Sequence, residues 1–406
     1  MGKQYGGQAR AMDSRDVYKR DRRLWLMGGI GPDWVQVHQG SSPVLWFPLL
    51  AGLSFLYGAG VRIRLSAFKM RLLKRKSLPG FVVSIGNLTA GGTGKTPAVI
   101  MLAKWAFKEG YRVAILSRGY GGRSKEKVLE VSDGEVIKVD PRDSGDEPNL
   151  IARKLTGIPV IVSRKRFNAG LFAHRKFDTN FFILDDGFQH LEIKRDLDLV
   201  LIDATSPFGN GHLLPWGPLR EPVDQLARAD AALLTRFRNQ GSAEETLASL
   251  NLKFPAIPFF CADHMPASVI FPQSNDVREL DFLKGKRIVA FAGIARPQEF
   301  KETLTRLGAD LVYFKGFRDH HRFKPQEIRA MIQKKKKFGA QYLLTSEKDW
   351  VRIAEFAPVC PEMGYLTIRF ALVMAQNRFF GMIKRATSRK RPMLQGSSGT
   401  DKAFSE

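Results

Sequence analysis

A glycine-rich loop between a strand and a helix is the feature that most constrains how this chain folds. Residues 84–96 read SIGNLTAGGTGKT; they close the apolar, β-branched segment 81–85 and precede a helical pattern over 97–108. Glycines in such a loop let backbone N–H groups converge on a phosphate chain, and the helix N-terminus adds a partial positive charge. The context predicts a nucleotide-phosphate site in an α/β protein, against the alternative of a glycine-rich turn that binds nothing.

Two residues at the end of this loop carry the expected chemistry. Lys95 is placed to reach the β- and γ-phosphates of a nucleotide, and the Thr96 hydroxyl is placed to bind Mg²⁺. Pro97 suits the first turn of the helix, where a missing N–H costs nothing. The loop departs from the G-x-x-x-x-G-K-[ST] pattern at its first position, where Thr89 stands in place of glycine.

Length, cysteine usage and charge narrow the class of protein. With 406 residues the chain is long enough for roughly two or three domains. Cys261 and Cys360 lie far apart, without His or Cys at ligand spacing, which favours a reducing compartment over a zinc site or a disulfide framework. The net charge of +24 indicates an anionic partner: nucleic acid, a membrane surface or a phosphorylated substrate. A generally basic proteome would give the same composition.

The N-terminal region favours a membrane as that partner. Residues 43–61 carry no charge. Apolar residues flanked by cations are typical of a segment that enters a bilayer and is held by anionic headgroups. Residues 43–78 are therefore predicted to associate with a membrane, by spanning it or only dipping into it, against the alternative of a buried core helix. Residues 1–42 read as a polar extension. The flanking cations are Arg62, Arg64, Lys69, Arg71, Lys74, Arg75 and Lys76.

Beyond the loop, apolar strand candidates alternate with helical stretches. The separations leave room for crossover helices, so the sequence predicts a P-loop NTPase-type α/β fold: a mostly parallel sheet with helices on both faces, then a second, smaller α/β domain. The strand candidates cover 112–117, 159–162, 181–185, 197–203 and 231–235 in the first part, and 287–293, 310–314 and 341–346 in the second.

The predicted domain boundary lies in a stretch punctuated by prolines. A P-loop domain is expected over 79–250 and a C-terminal α/β domain over 251–385. Within the latter, 251–286 is predicted to be an irregular connection because several prolines interrupt it. Residues 386–406, rich in Ser, Gly, Lys and Arg, are predicted to be a disordered tail.

A nucleotide site also needs an acidic residue for Mg²⁺, expected at the end of a neighbouring strand. In residues 181–190, FFILDDGFQH, four apolar residues lead directly into Asp185 and Asp186. Asp203, at the end of another apolar run, is a weaker competitor. The sequence therefore assigns Asp185 to the metal with Asp186 beside it, although Asp186 could instead cap the following turn.

Four further stretches combine turn residues with charged side chains. They are 117–123 (SRGYGGR), 144–148 (SGDEP), 209–222 (GNGHLLPWGPLREP) and 317–321 (FRDHH). Each stretch alone is ambiguous, because an aspartate in a turn is usually a cap and a lone histidine is usually structural.

Taken together, these stretches resemble the tetraacyldisaccharide 4'-kinase family of lipid A biosynthesis. The motifs NLTAGGTGKTP, LSRGYGGR, GDEP, LDDGFQH, GNGHLLPWGPLREP, FRDHH and, at 345–349, TSEKD occur in the family's order. The apolar segment that ends in VRIR at 61–64 also looks like the family's membrane-associating helix. The resemblance covers residues 43–385 and leaves both ends of the chain outside it.

The resemblance implies transfer of the γ-phosphoryl group of ATP, with Mg²⁺, to the 4'-hydroxyl of an acylated glucosamine disaccharide 1-phosphate. A sugar hydroxyl is a poor nucleophile, so the reaction needs a carboxylate to take its proton and cations to spread the transferring charge. Because ATP is cytosolic, the expected location is the cytoplasmic face of the inner membrane, as a peripheral or monotopic protein. The expected partners are the lipid and the anionic inner-membrane surface, not nucleic acid.

The family's functional residues carry over by position. Asp146 would be the base for the sugar hydroxyl, with His320 pairing to it from the second domain. The other implied roles are the ATP phosphates on Thr89, Ala90, Gly91, Gly92, Thr93, Gly94, Lys95 and Thr96; Mg²⁺ on Thr96, Asp185 and Asp186 with support from Glu147; catalytic cations Lys95 and Arg220; and, on the substrate side, Arg118, Tyr120 and Glu221.

A membrane-associated P-loop ATPase of the partner-positioning type is the main alternative, because it also has a Gly-Gly-x-Gly-Lys-Thr loop and membrane contacts. Its signature lysine directly before the glycine pair is missing, since that position is Ala90. A GTPase would need Asn-Lys-x-Asp, which residues 346–349 do not supply. A nucleic-acid-binding ATPase could use the positive charge, but the sequence has no recognition module and no aromatic-interleaved basic stripe.

Overall fold

The computed structural model describes residues 47–237, 241–319, 321–355 and 360–395. Within them thirteen strands form one mixed sheet. The strands are β1 Phe81–Asn87, β2 Val113–Ser117, β3 Leu129–Ser132, β4 Val160–Val162, β5 Phe181–Asp185, β6 Leu197–Asp203, β7 Ala231–Thr235, β8 Phe259–Phe271, β9 Asp276–Arg278, β10 Arg287–Ala292, β11 Asp310–Gly316, β12 Tyr342–Ser346 and β13 Met363–Leu372. The helices are α1 Phe47–Lys69, α2 Lys95–Lys108, α3 Pro141–Ser144, α4 Asp146–Lys154, α5 Arg166–Phe177, α6 Gly241–Lys253, α7 Pro297–Arg306, α8 Pro325–Lys337, α9 Glu347–Ile353 and α10 Gln376–Gln395, with 3₁₀ helices at Val223–Arg228 and Leu280–Leu283.

The order of the strands divides the sheet into two mostly parallel parts. It reads β11-β10-β12-β13-β8-β7-β6-β1-β5-β2-β4-β3, with β9 paired to β8. From β7 to β4 all neighbours are parallel, and β3 adds an antiparallel edge. From β11 to β13 all neighbours are again parallel. The mostly parallel α/β sheet predicted from the sequence is therefore confirmed.

Strands β1, β2, β5, β6 and β7 lie where the sequence predicts strands, and all five are covered on both faces. Every residue of β1, β2, β5, β6 and β7 is buried. Strands buried on both sides read as continuous apolar runs, which is the pattern that located them. Along β1, Val83 and Ile85 pack into the core under α2, whereas Val82 packs on the opposite face with Ala169 and Ala173 of α5. Helices on both faces follow from this alternation.

The irregular connection predicted over 251–286 is wrong. The segment contains β8, whose first residues pair in parallel with β7 and whose remainder pairs antiparallel with β13. Pro266 lies at a shift of register between the two strands, where a missing N–H removes no regular ladder bond. Proline is therefore compatible with this strand, and β8 joins both parts into one sheet. The division into domains at residue 250 stays a prediction.

The disordered tail predicted from residue 386 is also wrong for its first ten positions. Helix α10 continues to Gln395, and residues 396–406 lie outside the described residues. Phe379, Ile383 and Thr387, spaced four apart, are all buried on one face of this helix. The hydroxyl of Thr387 lies 2.9 Å from that of Tyr111. The polar composition of 386–406 did not reveal these buried residues, because two of the three precede residue 386.

Helix α1 carries the predicted membrane segment and exposes much of its apolar surface. Phe55, Leu56 and Ile63 are 72%, 65% and 71% exposed. Its other face contacts the rest of the chain, where the Ser54 hydroxyl and the Tyr57 hydroxyl donate to backbone carbonyl oxygens. Within the described residues, no helix combines the length and the apolar character needed to cross a membrane. The predicted extension 1–42, like the segment up to residue 46, lies outside the described residues.

Candidate active site

A large cavity opens at the carboxyl ends of the parallel strands. Its volume is about 1370 Å³, and both parts of the sheet line it. In parallel sheets this edge is where ligands bind, because loops and helix N-termini meet there. Of the residues predicted from the sequence, those that line the cavity are Ala90, Gly91, Gly92, Thr93, Gly94, Lys95, Thr96, Arg118, Tyr120, Glu147, Asp185, Asp186, Arg220 and Glu221.

The glycine-rich loop connects β1 to α2 as the sequence predicts. Gly94 precedes the helix with φ +88°, a conformation that favours glycine, and a Cβ atom there would lie 2.2 Å from Nε2 of His264. Lys95 starts the helix; its Nζ lies 3.3 Å from Oδ1 of Asn87 and 3.5 Å from Oδ1 of Asp186. The Asn87 side chain also donates to the Thr93 hydroxyl at 2.9 Å. The loop is thus fixed from the end of β1, with its lysine facing the carboxylates.

Asp185 is the last residue of β5 and lies fully within the protein. One carboxylate oxygen, Oδ2, accepts a hydrogen bond of 2.9 Å from Ser117, which ends β2. The other, Oδ1, has no hydrogen-bond partner among the described residues. Burial raises the pKa of Asp185 to about 6, and the negative charges of Glu147 and Asp186 act in the same direction. The site therefore holds negative charge that a cation would relieve.

Asp186 has a different environment from its neighbour. Its carboxylate accepts two hydrogen bonds from Nη1 of Arg220, at 3.0 and 2.8 Å, and pairs with Lys95. Burial opposes ionisation, but Lys95 and Arg220 outweigh it, and the pKa of Asp186 falls to about 2. Its side chain therefore binds two cations that the sequence assigned to the reaction.

The donor set fits a magnesium ion that arrives with a nucleotide. Among the described residues, no three His, Cys, Asp or Glu side chains form a metal site made by protein alone. Mg²⁺ usually takes one or two carboxylates, and phosphate oxygens and waters complete its octahedron. Asp185 offers a buried oxygen without a partner, and the Thr96 hydroxyl lies at the start of α2 in the same cavity.

Asp146 and Glu147 form the first turn of α4, directly after Gly145. The Asp146 carboxylate pairs with Nε of Arg352 at 2.6 Å, and the Glu147 carboxylate pairs with Lys348 at 3.2 Å. Both cations lie on α9, in the C-terminal part of the chain. His320, the predicted partner of Asp146, lies outside the described residues, whereas its neighbour Asp319 lines the cavity.

The remaining predicted residues differ in accessibility. Tyr120 is 82% exposed at the mouth of the cavity. Glu221 is buried and pairs with Arg228, whose guanidinium lies 4.3 Å from the centre of the Phe188 ring. Burial raises the pKa of Glu221, against the effect of Arg228. The carboxylate of Glu221 is thus held beside the cavity by a cation of its own.

Asp203, the weaker competitor for the metal, is occupied by arginines. It ends β6, and its Oδ2 accepts hydrogen bonds of 2.6 Å from both Arg236 and Arg296. Both arginines also pair with Glu299 of α7. Because two cations already neutralise Asp203, the metal assignment on Asp185 is the better of the two.

Several residues of the cavity were not found from the sequence. Arg166, almost fully buried, donates from Nη2 to the backbone carbonyls of Asp185 and Asp186 at 2.7 and 3.1 Å. Burial, with Arg166 nearby, lowers the pKa of His190 to about 4, so its imidazole is neutral at pH 7. An arginine in the first turn of a helix has no local signal that separates it from a surface cation. His190 is the last residue of the LDDGFQH motif, and this position was the one signal in the sequence that could have identified it as a residue of the site.

A phosphate loop at the carboxyl edge of a mainly parallel sheet, with carboxylates from the next strand, defines the class of P-loop nucleotide-binding proteins. Comparison with known proteins gives the particular family. A sequence model described as tetraacyldisaccharide-1-P 4'-kinase (LpxK) matches residues 46–387. The chain belongs to the tetraacyldisaccharide 4'-kinase family.

Individual relatives agree with this assignment. The chain is 40% identical over 361 residues to a tetraacyldisaccharide 4'-kinase of Syntrophus aciditrophicus, covering 87% of this chain and 94% of the relative. It is 39% identical to that of Geobacter metallireducens, over 78% and 90% of the two chains. Among solved structures, the "apo" form of LpxK from Aquifex aeolicus in complex with ATP matches with a TM-score of 0.66 and 31% identity, over 83% and 98%.

These comparisons confirm the family, the P-loop α/β fold and the kinase activity predicted from the sequence. The chain is a kinase that transfers phosphate to a hydroxyl group. The partner-positioning ATPase is set aside, because the family match spans both parts of the sheet. The roles of individual site residues stay predictions.

Proposed function

We propose that this kinase transfers the γ-phosphoryl group of ATP to the 4'-hydroxyl of a tetraacylated glucosamine disaccharide 1-phosphate. The observation that carries the proposal is a single cavity lined by a phosphate loop, by strand-end carboxylates and by the helix that starts with Asp146. The cavity of about 1370 Å³ is large enough for a nucleotide together with a sugar. The family's name and the ATP-bound relative supply the identity of acceptor and donor.

The proposed reaction is an in-line displacement. The 4'-oxygen attacks the γ-phosphorus as its proton passes to the Asp146 carboxylate, and the bond from the γ-phosphorus to the bridging oxygen breaks so that ADP leaves. Lys95 and Arg220, both ion-paired with Asp186, are the cations that we assign to the transferring group. They stabilise the negative charge that spreads over the transferring group.

Asp185 and Thr96 are the residues we assign to Mg²⁺, with Asp186 beside them and Glu147 in support. A magnesium ion held there would neutralise part of the negative charge of the phosphate groups. Burial raises the pKa of Asp185, and the negative charges of Glu147 and Asp186 raise it further, so a cation bound at this carboxylate would be stabilised.

Other predicted residues take positioning or substrate-side roles. His320, which lies outside the described residues, is the residue that we assign to orient Asp146. Arg118 and Tyr120, at the mouth of the cavity, contact the acceptor. Glu221 follows Arg220 in the chain, and its buried pair with Arg228 fixes the loop that presents the Arg220 guanidinium to Asp186.

We place the enzyme on the cytoplasmic face of the inner membrane, held by α1. An acylated disaccharide stays in the bilayer, so its 4'-hydroxyl must be reached at the surface. The exposed apolar side chains of α1 insert into the bilayer, and cations such as Arg62, Arg71 and Lys74 are attracted to anionic headgroups. Tyr57 and Arg64 of the same helix line the cavity, so the membrane contact and the site are adjacent.

The test is phosphate transfer from radiolabelled ATP to a tetraacylated disaccharide 1-phosphate in mixed micelles, with the product located by NMR. The expected product carries the new phosphate at the 4' position, one for each ADP formed. The same lipid with its 4'-hydroxyl replaced by hydrogen serves as control and should accept nothing. Phosphate on another hydroxyl, or ADP formed without lipid phosphorylation, would overturn the proposal.

A further inference from the structure

Helices α4 and α9 are joined by ion pairs that run along their contact. Asp146 pairs with Arg352, Glu147 with Lys348, and Lys154 with Glu347. Each pair joins residues roughly two hundred positions apart in the chain. The two acidic residues at the start of α4 thus face cationic residues of α9. Lys154 at the end of α4 faces the acidic residue Glu347 of α9.

Arg352 differs from the other cations of this contact because it is rigidly held. Its side chain is only 6% exposed. Nη1 donates to the carbonyl oxygen of Gly293 and to the Asp349 carboxylate, both at 2.9 Å. This leaves Nε directed at Oδ2 of Asp146, 2.6 Å away. One guanidinium thus links α9, α4 and the residue that directly follows β10.

Asp349, the second carboxylate on Arg352, is itself fixed. It is fully buried, and its Oδ2 accepts from the backbone N–H of Gly293 at 2.9 Å and binds the hydroxyl of Ser346 at 2.5 Å. Neither side chain can rotate without breaking several buried hydrogen bonds, which is costly. Arg352 therefore binds the Asp146 carboxylate while its own position is fixed by residues in the C-terminal part of the chain.

We propose that Arg352 is a positioning residue for phosphoryl transfer, which orients the Asp146 carboxylate toward the acceptor from the C-terminal part of the chain. The inference rests on the proposed role of Asp146 as the base. A side chain at the first position of a helix has rotamer freedom, and misplacement of a reacting group by about 1 Å can reduce a rate by roughly 10²-fold. Arg352 restricts the rotamers of the Asp146 side chain as long as α4 and α9 are packed together.

Arg352 contacts Asp146, Asp349 and Gly293, which lie outside the phosphate loop, so its loss should affect kcat and the KM for ATP differently. In Arg352→Ala, kcat for lipid phosphorylation should fall about 10²-fold, while KM for ATP stays within about threefold. Arg352→Lys keeps the charge but cannot reach Asp146, Asp349 and Gly293 with the same fixed fork. It should recover part of the loss, to about tenfold below the parent chain.

Lys154→Ala is the matched control, because it removes an ion pair between the same two helices without touching Asp146. It should lower the unfolding midpoint, as Arg352→Ala does, yet keep kcat within about threefold. If Arg352→Ala leaves Asp349 too poorly paired to fold, the double variant Arg352→Ala/Asp349→Asn removes that buried charge and takes its place in the comparison.

Combination with Asp146→Asn makes the test specific. If Arg352 acts through Asp146, then Arg352→Ala added to Asp146→Asn should lower kcat by no more than about threefold further. A normal kcat in folded Arg352→Ala, an equal loss in Lys154→Ala, or full additivity with Asp146→Asn overturns the positioning role. An active Asp146→Asn enzyme would instead overturn the proposed base itself, and the inference with it.

Discussion

The phosphate loop and the surroundings of Asp146 line one cavity, but they differ in the sequence separation between the residues that contact each other. Asn87 binds Thr93 and Lys95, six and eight residues away. Asp146 binds Arg352, which is 206 residues away. Contacts from Asn87 thus hold the lysine end of the phosphate loop from within the same segment, whereas the packing of two distant helices holds the Asp146 carboxylate on the acceptor side. Changes at the two places should therefore affect different steps.

The largest effect is expected at the phosphate loop. Lys95→Ala removes a preorganised cation from the transferring phosphate, so kcat/KM for ATP should fall by about 10³-fold in a folded protein. Lys108→Ala, at the exposed end of the same helix, is the matched control and should change little. Steady-state kinetics with circular dichroism as a folding check make the measurement. Near-normal turnover in folded Lys95→Ala would remove the phosphate-loop assignment.

The next largest effect concerns the acid–base pair. Asp146→Ala and His320→Ala should each lower kcat by about 10²-fold or more, because a hydroxyl loses its proton acceptor or that acceptor's orienting partner. The double variant should lose much less than the product of the two factors, since residues that work as a unit are non-additive. Losses that multiply fully would mean that the two groups act independently.

A smaller effect is expected at the membrane contact. Phe55→Ser/Leu56→Ser removes two exposed apolar side chains from α1, each contributing up to about 1.5–3 kcal/mol on full burial. Partial insertion should then give a loss of vesicle binding of about tenfold, with ATP binding unchanged. Leu252→Ser, at a leucine that is 85% exposed on α6, is the control and should bind vesicles as the parent does. Sedimentation with anionic vesicles decides, and an unchanged bound fraction would place the anchor elsewhere.

The smallest expected effect is on stability, at Asp185. Its pKa rises from 3.8 to about 6 on folding, so folding favours the protonated form, and stability falls as the pH rises from about 4 to about 6. At pH 7 without Mg²⁺ the ionised group costs about 1–3 kcal/mol, and Asp185→Asn should raise the unfolding midpoint by a few degrees. Asp203→Asn, which breaks a carboxylate paired with two arginines, should lower it. Shifts of the same sign would refute the difference between the two carboxylates.

The same contrast explains how much the sequence could predict. The strands 181–185, 197–203 and 231–235 match the structure residue for residue, because strands buried on both faces are continuous apolar runs. Strand β8 was missed, because prolines and half-buried polar residues hide a strand that pairs with partners in both parts of the sheet. Lys95 and Asp185 follow from local motifs, whereas the pairing of Asp146 with Arg352 depends on tertiary packing that no local pattern encodes.

Nucleotide binding by two variants tests most directly whether the cavity has a local nucleotide side and a long-range acceptor side. Calorimetric titration with ATP and Mg²⁺ should show that Asp146→Asn binds with the affinity of the parent chain although it does not phosphorylate the lipid. Lys95→Ala should bind at least about tenfold more weakly. If Asp146→Asn loses as much ATP affinity as Lys95→Ala does, that result would contradict the separation of the cavity into a nucleotide side and an acceptor side.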